Sequence, residues 1–479
     1  MLKTFFIFLW IILFSQILSL PITSENNLSI GNQYDGNLTK NTLKVLDEIL
    51  LRIKQLNLTI NYHLNYFRGN NTKTNKKTFR ENNVMENSGY YQGDIKLSKF
   101  QAEYLIDTVA EIAEGLGADV SDIVGDAETR KKRKIDTRPN FIWDLKVPYV
   151  VDYRVDRNLI RKALDKLQSE TCLEFIEYSG YIPSGEAGLK YFPGDGCYSS
   201  VGRQSLDRLQ DISIGEGCED ISTVQHETMH ALGFEHEQSR ADRDMYLKIF
   251  LDNIEQDTIE NFMKLPLTNA LDYGLQYDYG SAMHYDSHSF SKNGKPTMLP
   301  HNSVYHMTMG SRSEATFLDI MVLNLYYCED ICLNRITCKN NGYQDPNSCE
   351  RCKCLKGFTG RDCSEIERNS LCENQELFAD GTRKLLYVDG EKDCVYHIKS
   401  KSRNRILIEV KTVSINPTYD YSCRADNKLE VKFQSNKTTS GAFLCEEATQ
   451  QFISENDHVM IRYTSTKFDN FAEIYYKIQ

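Results

Sequence analysis

The chain has 479 residues, enough for two to four domains each with its own core. Its 56 Lys+Arg against 67 Asp+Glu leave a net charge of −11, which argues against nucleic acid and anionic membrane as general partners. Fourteen cysteines, an even number and mostly clustered, point to an oxidising compartment.

At the N-terminus Lys3 precedes the apolar run Phe5–Phe14, and Ser15 and Ser19 supply small residues near a cleavage point. This pattern predicts a secretory signal peptide over residues 1–19 and a secreted, extracellular mature chain. The run is too short for the ~20 residues a spanning helix needs, and no other segment approaches that length, so no membrane span is expected. Residues 20–133 are rich in Asn, Lys and Thr and lack cysteine. Within them Leu43, Leu46, Leu50, Ile53, Ile60, Leu64 and Phe67 form a heptad-like stripe, which predicts one long amphipathic helix. Asn57 lies on that stripe and opens the sequon Asn57-Leu58-Thr59, so either the helix docks loosely or the sequon is unused. Further sequons open at Asn27, Asn37 and Asn70, and one more at Asn436; none falls between residues 134 and 435. Residues 68–89 are polar and low in complexity, as in a flexible connector.

Two later strings stand out in this N-terminal third. Tyr91-Gln92-Gly93-Asp94 offers a carboxylate, a competent zinc ligand, after a glycine that permits close backbone approach. Arg130-Lys131-Lys132-Arg133-Lys134, behind a signal peptide, reads as a site for a basic-residue convertase. A cut after Arg133 makes Lys134 a new N-terminus.

From Trp143 the chain reads as a strand at 147–151 and then a helix at 156–170, apolar at Ile160, Ala163, Leu164 and Leu167. Aromatic and Gly-rich strand-like segments follow up to Cys218. The next helix carries His226-Glu227-Thr228-Met229-His230, followed by Gly233 and His236. Histidines four apart lie one turn above each other on one helix face, where two imidazoles suit zinc. A glycine lets the chain turn back with positive φ and bring in His236 as third ligand. Three protein ligands leave one position open, the arrangement of a catalytic zinc. Downstream, Ser281-Ala282-Met283-His284-Tyr285 supplies a methionine turn, with His284 read as a turn residue.

With Ser222-Thr223-Val224-Gln225 before the zinc string and Glu237-Gln238-Ser239-Arg240-Ala241-Asp242-Arg243-Asp244 after it, the chain resembles the astacin family of metzincin metalloendopeptidases. The resemblance runs from about residue 134 to Cys328 and implies an α+β catalytic domain over 134–328 with its cleft across the zinc helix. It implies one Zn2+ per subunit on His226, His230 and His236. Glu227 then serves as general base, passing a water proton to the leaving amine. Tyr285 donates a hydrogen bond to the developing oxyanion, and Met283 forms an apolar floor. Residues 20–133 become a propeptide whose Asp94 replaces the catalytic water. The freed Lys134 folds inward toward Glu237, a carboxylate for a buried ammonium. Some family members favour an acidic residue directly after the scissile bond; which Lys or Arg would serve here is open.

Four cysteines in this unit permit three pairings, and the resemblance favours Cys172–Cys328 and Cys197–Cys218. Six more follow, and the ending Cys352-Lys353-Cys354-Leu355-Lys356-Gly357-Phe358-Thr359-Gly360-Arg361-Asp362-Cys363 resembles an EGF-like module over 329–364. That likeness implies Cys332–Cys349, Cys338–Cys352 and Cys354–Cys363. A zinc ribbon is the other reading of Cys-x-x-Cys, disfavoured by an oxidising compartment. Residues 372–479 alternate apolar and polar residues in short runs such as 406–410 and 429–433. They are similar to an all-β CUB sandwich, with bridges Cys372–Cys394 and Cys423–Cys445. Asp426 matches one calcium ligand of such modules, but Asn416 and Thr466 replace two others, so calcium binding is expected to be lost. The module order is similar to that of secreted nematode astacins. The expected protein is a latent zymogen that hydrolyses extracellular proteins or peptides once a convertase has cut it, and its mature form carries at most the Asn436 glycan. The alternative is a retired protease scaffold that binds through its EGF-like and CUB modules.

Overall fold

A computed structural model of the chain describes residues 90–97, 101, 142–265, 273–446 and 449–479. The expected signal peptide, the stripe from Leu43 to Phe67, the sequons at Asn27, Asn37, Asn57 and Asn70, and the Arg133–Lys134 bond lie outside them.

The first unit is built on β1 (Lys146–Val151), α1 (Arg157–Glu170), β2 (Glu174–Glu177), β3 (Gly188–Phe192), β4 (Cys197–Tyr198), β5 (Leu209–Ile214) and α2 (Ile221–Ala231). The sheet order is β2-β1-β3-β5-β4, with the first four strands parallel and β4 antiparallel to β5. Near-continuous apolar runs such as Tyr149–Val151 in β1 suit parallel strands covered by helices. Asp156 caps α1 by accepting from the Asn158 and Leu159 amides, and the helix buries Ile160, Ala163, Leu164 and Leu167. These side chains join Val147, Leu189, Tyr191 and Ile212 of the sheet and Val224 and Met229 of α2 in one core.

The short edge strand β4 is extended by the segment around Asp94. Ile95 pairs in parallel with Ser199, the Ser199 amide donates to the Asp94 carbonyl (2.9 Å), and the Lys96 amide donates to the Ser199 carbonyl (2.7 Å). An exposed strand edge presents unpaired backbone groups, and this segment satisfies them.

A later helix, α3 (Phe317–Tyr327), begins with a capping box between Thr316 and Asp319. The same Asp319 carboxylate accepts from Ser281 Oγ (2.7 Å) and the Ala282 amide (2.9 Å). One cap residue thus starts a helix and ties down the turn that carries Met283.

All fourteen cysteines are paired, as Cys172–Cys328, Cys197–Cys218, Cys332–Cys349, Cys338–Cys352, Cys354–Cys363, Cys372–Cys394 and Cys423–Cys445. Between Cys332 and Ile366 the chain has only two small antiparallel pairs, Tyr343–Gln344 with Cys352–Lys353 and Phe358–Thr359 with Glu365–Ile366. So little secondary structure makes the three bridges its main constraint.

The C-terminal part is a β-sandwich. One sheet orders Glu376–Ala379, Lys392–Ser400, His458–Ser465, Lys428–Lys432 and Ala442–Leu444; the other orders Lys384–Asp389, Phe471–Ile478, Ile406–Ser414 and Gln450–Ile453. Alternate residues such as Ile406, Ile408 and Val410 point inward and are fully buried. At the expected calcium position both Asp426 carboxylate oxygens accept from Arg424 (3.0 and 3.2 Å), while the Asn416 and Thr466 amides donate to Asn470 and Asn427.

Candidate active site

Asp220 caps α2 by accepting from the Thr223 amide (2.9 Å), and every residue from Thr223 to Ala231 is buried. The helix stops at Gly233, whose φ of 107° is strained for any residue with a Cβ. There the Phe234 amide reaches back to the Met229 carbonyl and the Gly233 amide to the His230 carbonyl. The turn brings His236 alongside His226 and His230.

The fourth member of this cluster comes from far upstream. Asp94 is fully buried, with Oδ2 3.1 Å from His226 Nε2 and 3.2 Å from His236 Nε2, and Oδ1 3.6 Å from His230 Nε2. One ligand atom from each of the four residues lies within 4.8 Å of the others, the only such cluster among the described residues. Gln92 (φ 47°) and Gly93 (φ 82°) both take the left-handed conformation, which makes the tight bend that turns the carboxylate inward.

The hydrogen bonds around the rings show what this cluster fits. His226 Nδ1 donates to the Ala282 carbonyl (2.7 Å), His230 Nδ1 to the Phe234 carbonyl (2.7 Å) and His236 Nδ1 to Gln92 Oε1 (2.8 Å). A carbonyl cannot donate, so each ring carries its proton on Nδ1, and a neutral ring then aims a lone pair from Nε2 at the centre. Burial favours neutral rings, lowering His230 and taking His236 down to about 4 against the opposing charge of Asp94. His230 Nε2 and Asp94 Oδ1 have no hydrogen-bond partner. Lone pairs facing a carboxylate repel unless a cation lies between them. Three imidazoles and one carboxylate form a donor set compatible with zinc.

Burial alone would raise the Asp94 carboxyl, but its close approach to His236, His226 and His230 holds it well below the usual range, so it stands as an anionic ligand. Glu227 is the opposite case. It is fully buried, neither carboxylate oxygen has a partner, and burial with the nearby Asp94 charge pushes it well above the ordinary glutamate value. Met283 is buried in the core that holds Val224 and Met229 of α2, and its carbonyl accepts from the Glu237 amide (3.0 Å). Tyr285 packs on His236 with ring centroids 4.6 Å apart, and its hydroxyl donates to the Gln92 carbonyl. Glu237 Oε1 accepts from the Asp278 amide (2.8 Å) and Arg240 Nη1 (3.3 Å), while burial raises its carboxyl to about 8. Lys134, its expected partner, lies outside the described residues. His284 donates from Nδ1 to the Tyr285 carbonyl and accepts at Nε2 from the Tyr277 hydroxyl (2.7 Å).

Three residues escaped the sequence reading. Gln92 orients His236, holds Tyr285 through its carbonyl, and donates its amide to Asn261 Oδ1 (2.6 Å). Its place inside the Tyr91–Asp94 string was the available signal. Gln238 accepts from the Tyr285 amide (3.1 Å) and anchors that end of the turn. Arg312 is exposed in a small pocket lined also by His226, Tyr285, Asp286 and Gly310, and forms no ion pair among the described residues. Nothing in its local sequence distinguishes it from other arginines.

A family model described as Astacin, a peptidase family, matches residues 135–328, and a CUB domain model matches residues 387–472. The chain is 31% identical over 386 residues to zinc metalloproteinase nas-34 of Caenorhabditis elegans, covering 80% of this chain and 63% of that protein. It is 36% identical over 308 residues to nas-37 of the same organism, covering 64% and 39%. The chain therefore spans less than two thirds of the length of these curated relatives. Among solved structures, high choriolytic enzyme 1 of Oryzias latipes is 30% identical with a TM-score of 0.35, covering 40% of this chain and 91% of that one.

Proposed function

Residues 135–328 are an astacin peptidase domain and residues 387–472 a CUB domain, and from that premise we propose that the chain is a secreted zinc metalloendopeptidase made as a latent zymogen. The observation that carries this reading is Asp94 on the three-histidine cluster, beside a Glu227 whose oxygens have no partner. His226, His230 and His236 would hold the zinc, with Asp94 as a further ligand in the uncut chain. When bound, zinc supplies Lewis acidity that polarises a peptide carbonyl and acidifies water.

The residues of the chain do the rest. The segment 90–96 occupies the sheet edge and the cleft, so substrate and Asp94 exclude each other. Cleavage after Arg133 by a basic-residue convertase lets that segment leave. Glu227 then takes a proton from the attacking water and passes it to the nitrogen of the breaking peptide bond, so the amine leaves neutral. Release of Gln92 frees the Tyr285 hydroxyl to donate to the oxygen of the carbonyl under attack. Arg312 is the cation on this side of the cleft and suits an acidic substrate side chain just past the scissile bond. The Cys332–Cys363 unit serves as an EGF-like spacer and the sandwich as a CUB domain for protein contact.

His230→Ala tests the metal assignment, because it removes one ligand and leaves the helix propensity intact. Zinc content measured on the purified chain should fall from one per chain to none, and hydrolysis should disappear with it. Retained zinc and activity would exclude His230 as a ligand.

A further inference from the structure

The CUB domain does not hang from the protease unit; its loops sit on the segments that build the cleft. The Ser440 amide donates to Asp278 Oδ1 (2.9 Å), and the Asp278 amide in turn donates to Glu237 (2.8 Å). Gly280 lies so close that an added Cβ would stand 2.5 Å from Ser440 Oγ. The Phe443 amide donates to Thr308 Oγ1 (2.9 Å), Ser422 Oγ to the Gly310 carbonyl (2.9 Å), and the Cys423 amide to the Met307 carbonyl (2.9 Å). The buried aromatic core of the protease unit, including Tyr279 and Tyr305, is continuous with that of the sandwich. Tyr305 and Phe433 rings lie 6.0 Å apart across the junction.

One loop of the sandwich goes further and reaches the pocket. Tyr421 stacks on His288 at 3.6 Å between ring centroids. The Arg312 guanidinium lies 5.2 Å from the Tyr419 ring centroid, and Arg424, clamped by Asp426, lies 5.4 Å from the same ring. Arg312 also has a φ of 47°, a conformation that its neighbours must impose. Gly310 and Arg312 line the pocket beside His226 and Tyr285, so Ser422 and Tyr419 brace one stretch of its wall from behind. Asp286 lies in the same pocket, where its Oδ1 accepts from the His288 amide (2.7 Å), and Arg312 is the one Lys or Arg among the described lining residues, the group there that can pair with an acidic substrate side chain.

We infer that the CUB loop at residues 416–424 is part of the substrate-binding cleft, and that Tyr419 is a positioning residue that holds Arg312 toward an acidic substrate side chain. The inference rests on reading the cleft as peptide-binding. A ring face aligns a guanidinium without consuming its hydrogen bonds, so the five N–H donors stay available for a carboxylate. The specificity of this protease is then a property of two domains together.

The test uses the full chain, activated by cleavage after Arg133, on paired peptides that differ only in Glu or Ala just past the scissile bond. Wild type should prefer Glu, and Arg312→Gln should erase the preference. Tyr419→Leu should lower the Glu-to-Ala ratio of kcat/KM about two- to five-fold, the size of an exposed cation–π contact. Tyr419→Phe keeps the ring face and should keep the ratio. A general packing defect would slow both peptides alike and leave the ratio unchanged. An unchanged ratio in Tyr419→Leu overturns the inference, as does a wild type that cleaves both peptides equally. If activated wild type cleaves neither peptide nor any member of a random peptide library, the peptidase reading itself fails.

Discussion

Glu227→Gln is expected to lower peptide hydrolysis at least ~100-fold while zinc stays bound. The amide keeps the size and shape of the side chain and removes only its basicity. Glu227 contributes no oxygen to the three-histidine cluster, and its two carboxylate oxygens have no hydrogen-bond partner to lose. Folding and metal content should therefore match the wild type, and the loss should fall on kcat rather than on the peptide affinity. Mass spectrometry for zinc, together with steady-state kinetics on the activated chain, separates these quantities. Near-normal turnover would remove Glu227 from the mechanism.

Asp94→Ala should make the uncut chain leak activity. Latency as proposed has two parts, a carboxylate on the metal and a segment across the cleft. The variant deletes the first and leaves the second, because Gln92 still contacts His236, Tyr285 and Asn261, and Ile95 still pairs with Ser199. The leak should be partial for that reason. Changing Arg130 and Arg133 to Ala should act in the opposite sense and give a stable latent chain. Complete silence of uncut Asp94→Ala, folded and zinc-loaded, would show that the covering segment suffices alone.

The sequence made part of this legible for a physical reason. Histidines at i and i+4, a glycine that must take positive φ, and a third histidine are local constraints, so the eleven residues from His226 to His236 carry the three-histidine set. Period-2 patterning at 406–410 and 429–433 likewise announced strands that the sandwich contains. Asp94 could be placed only through resemblance, since 132 residues separate it from His226. Contacts such as Ser440 with Asp278, 162 residues apart, and Tyr419 with Arg312 leave no local pattern at all. Gln92 stood in plain view, yet its two roles depend on a His236 side chain and a Tyr285 hydroxyl brought by other elements.

The most direct measurement takes one sample of the full chain and follows zinc content and peptide cleavage before and after a cut between Arg133 and Lys134. One zinc per chain is expected in both states, with no hydrolysis before the cut and chelator-sensitive hydrolysis after it. A fully cut, folded, zinc-loaded chain that cleaves no peptide would contradict the proposal and leave a binding protein on a protease scaffold.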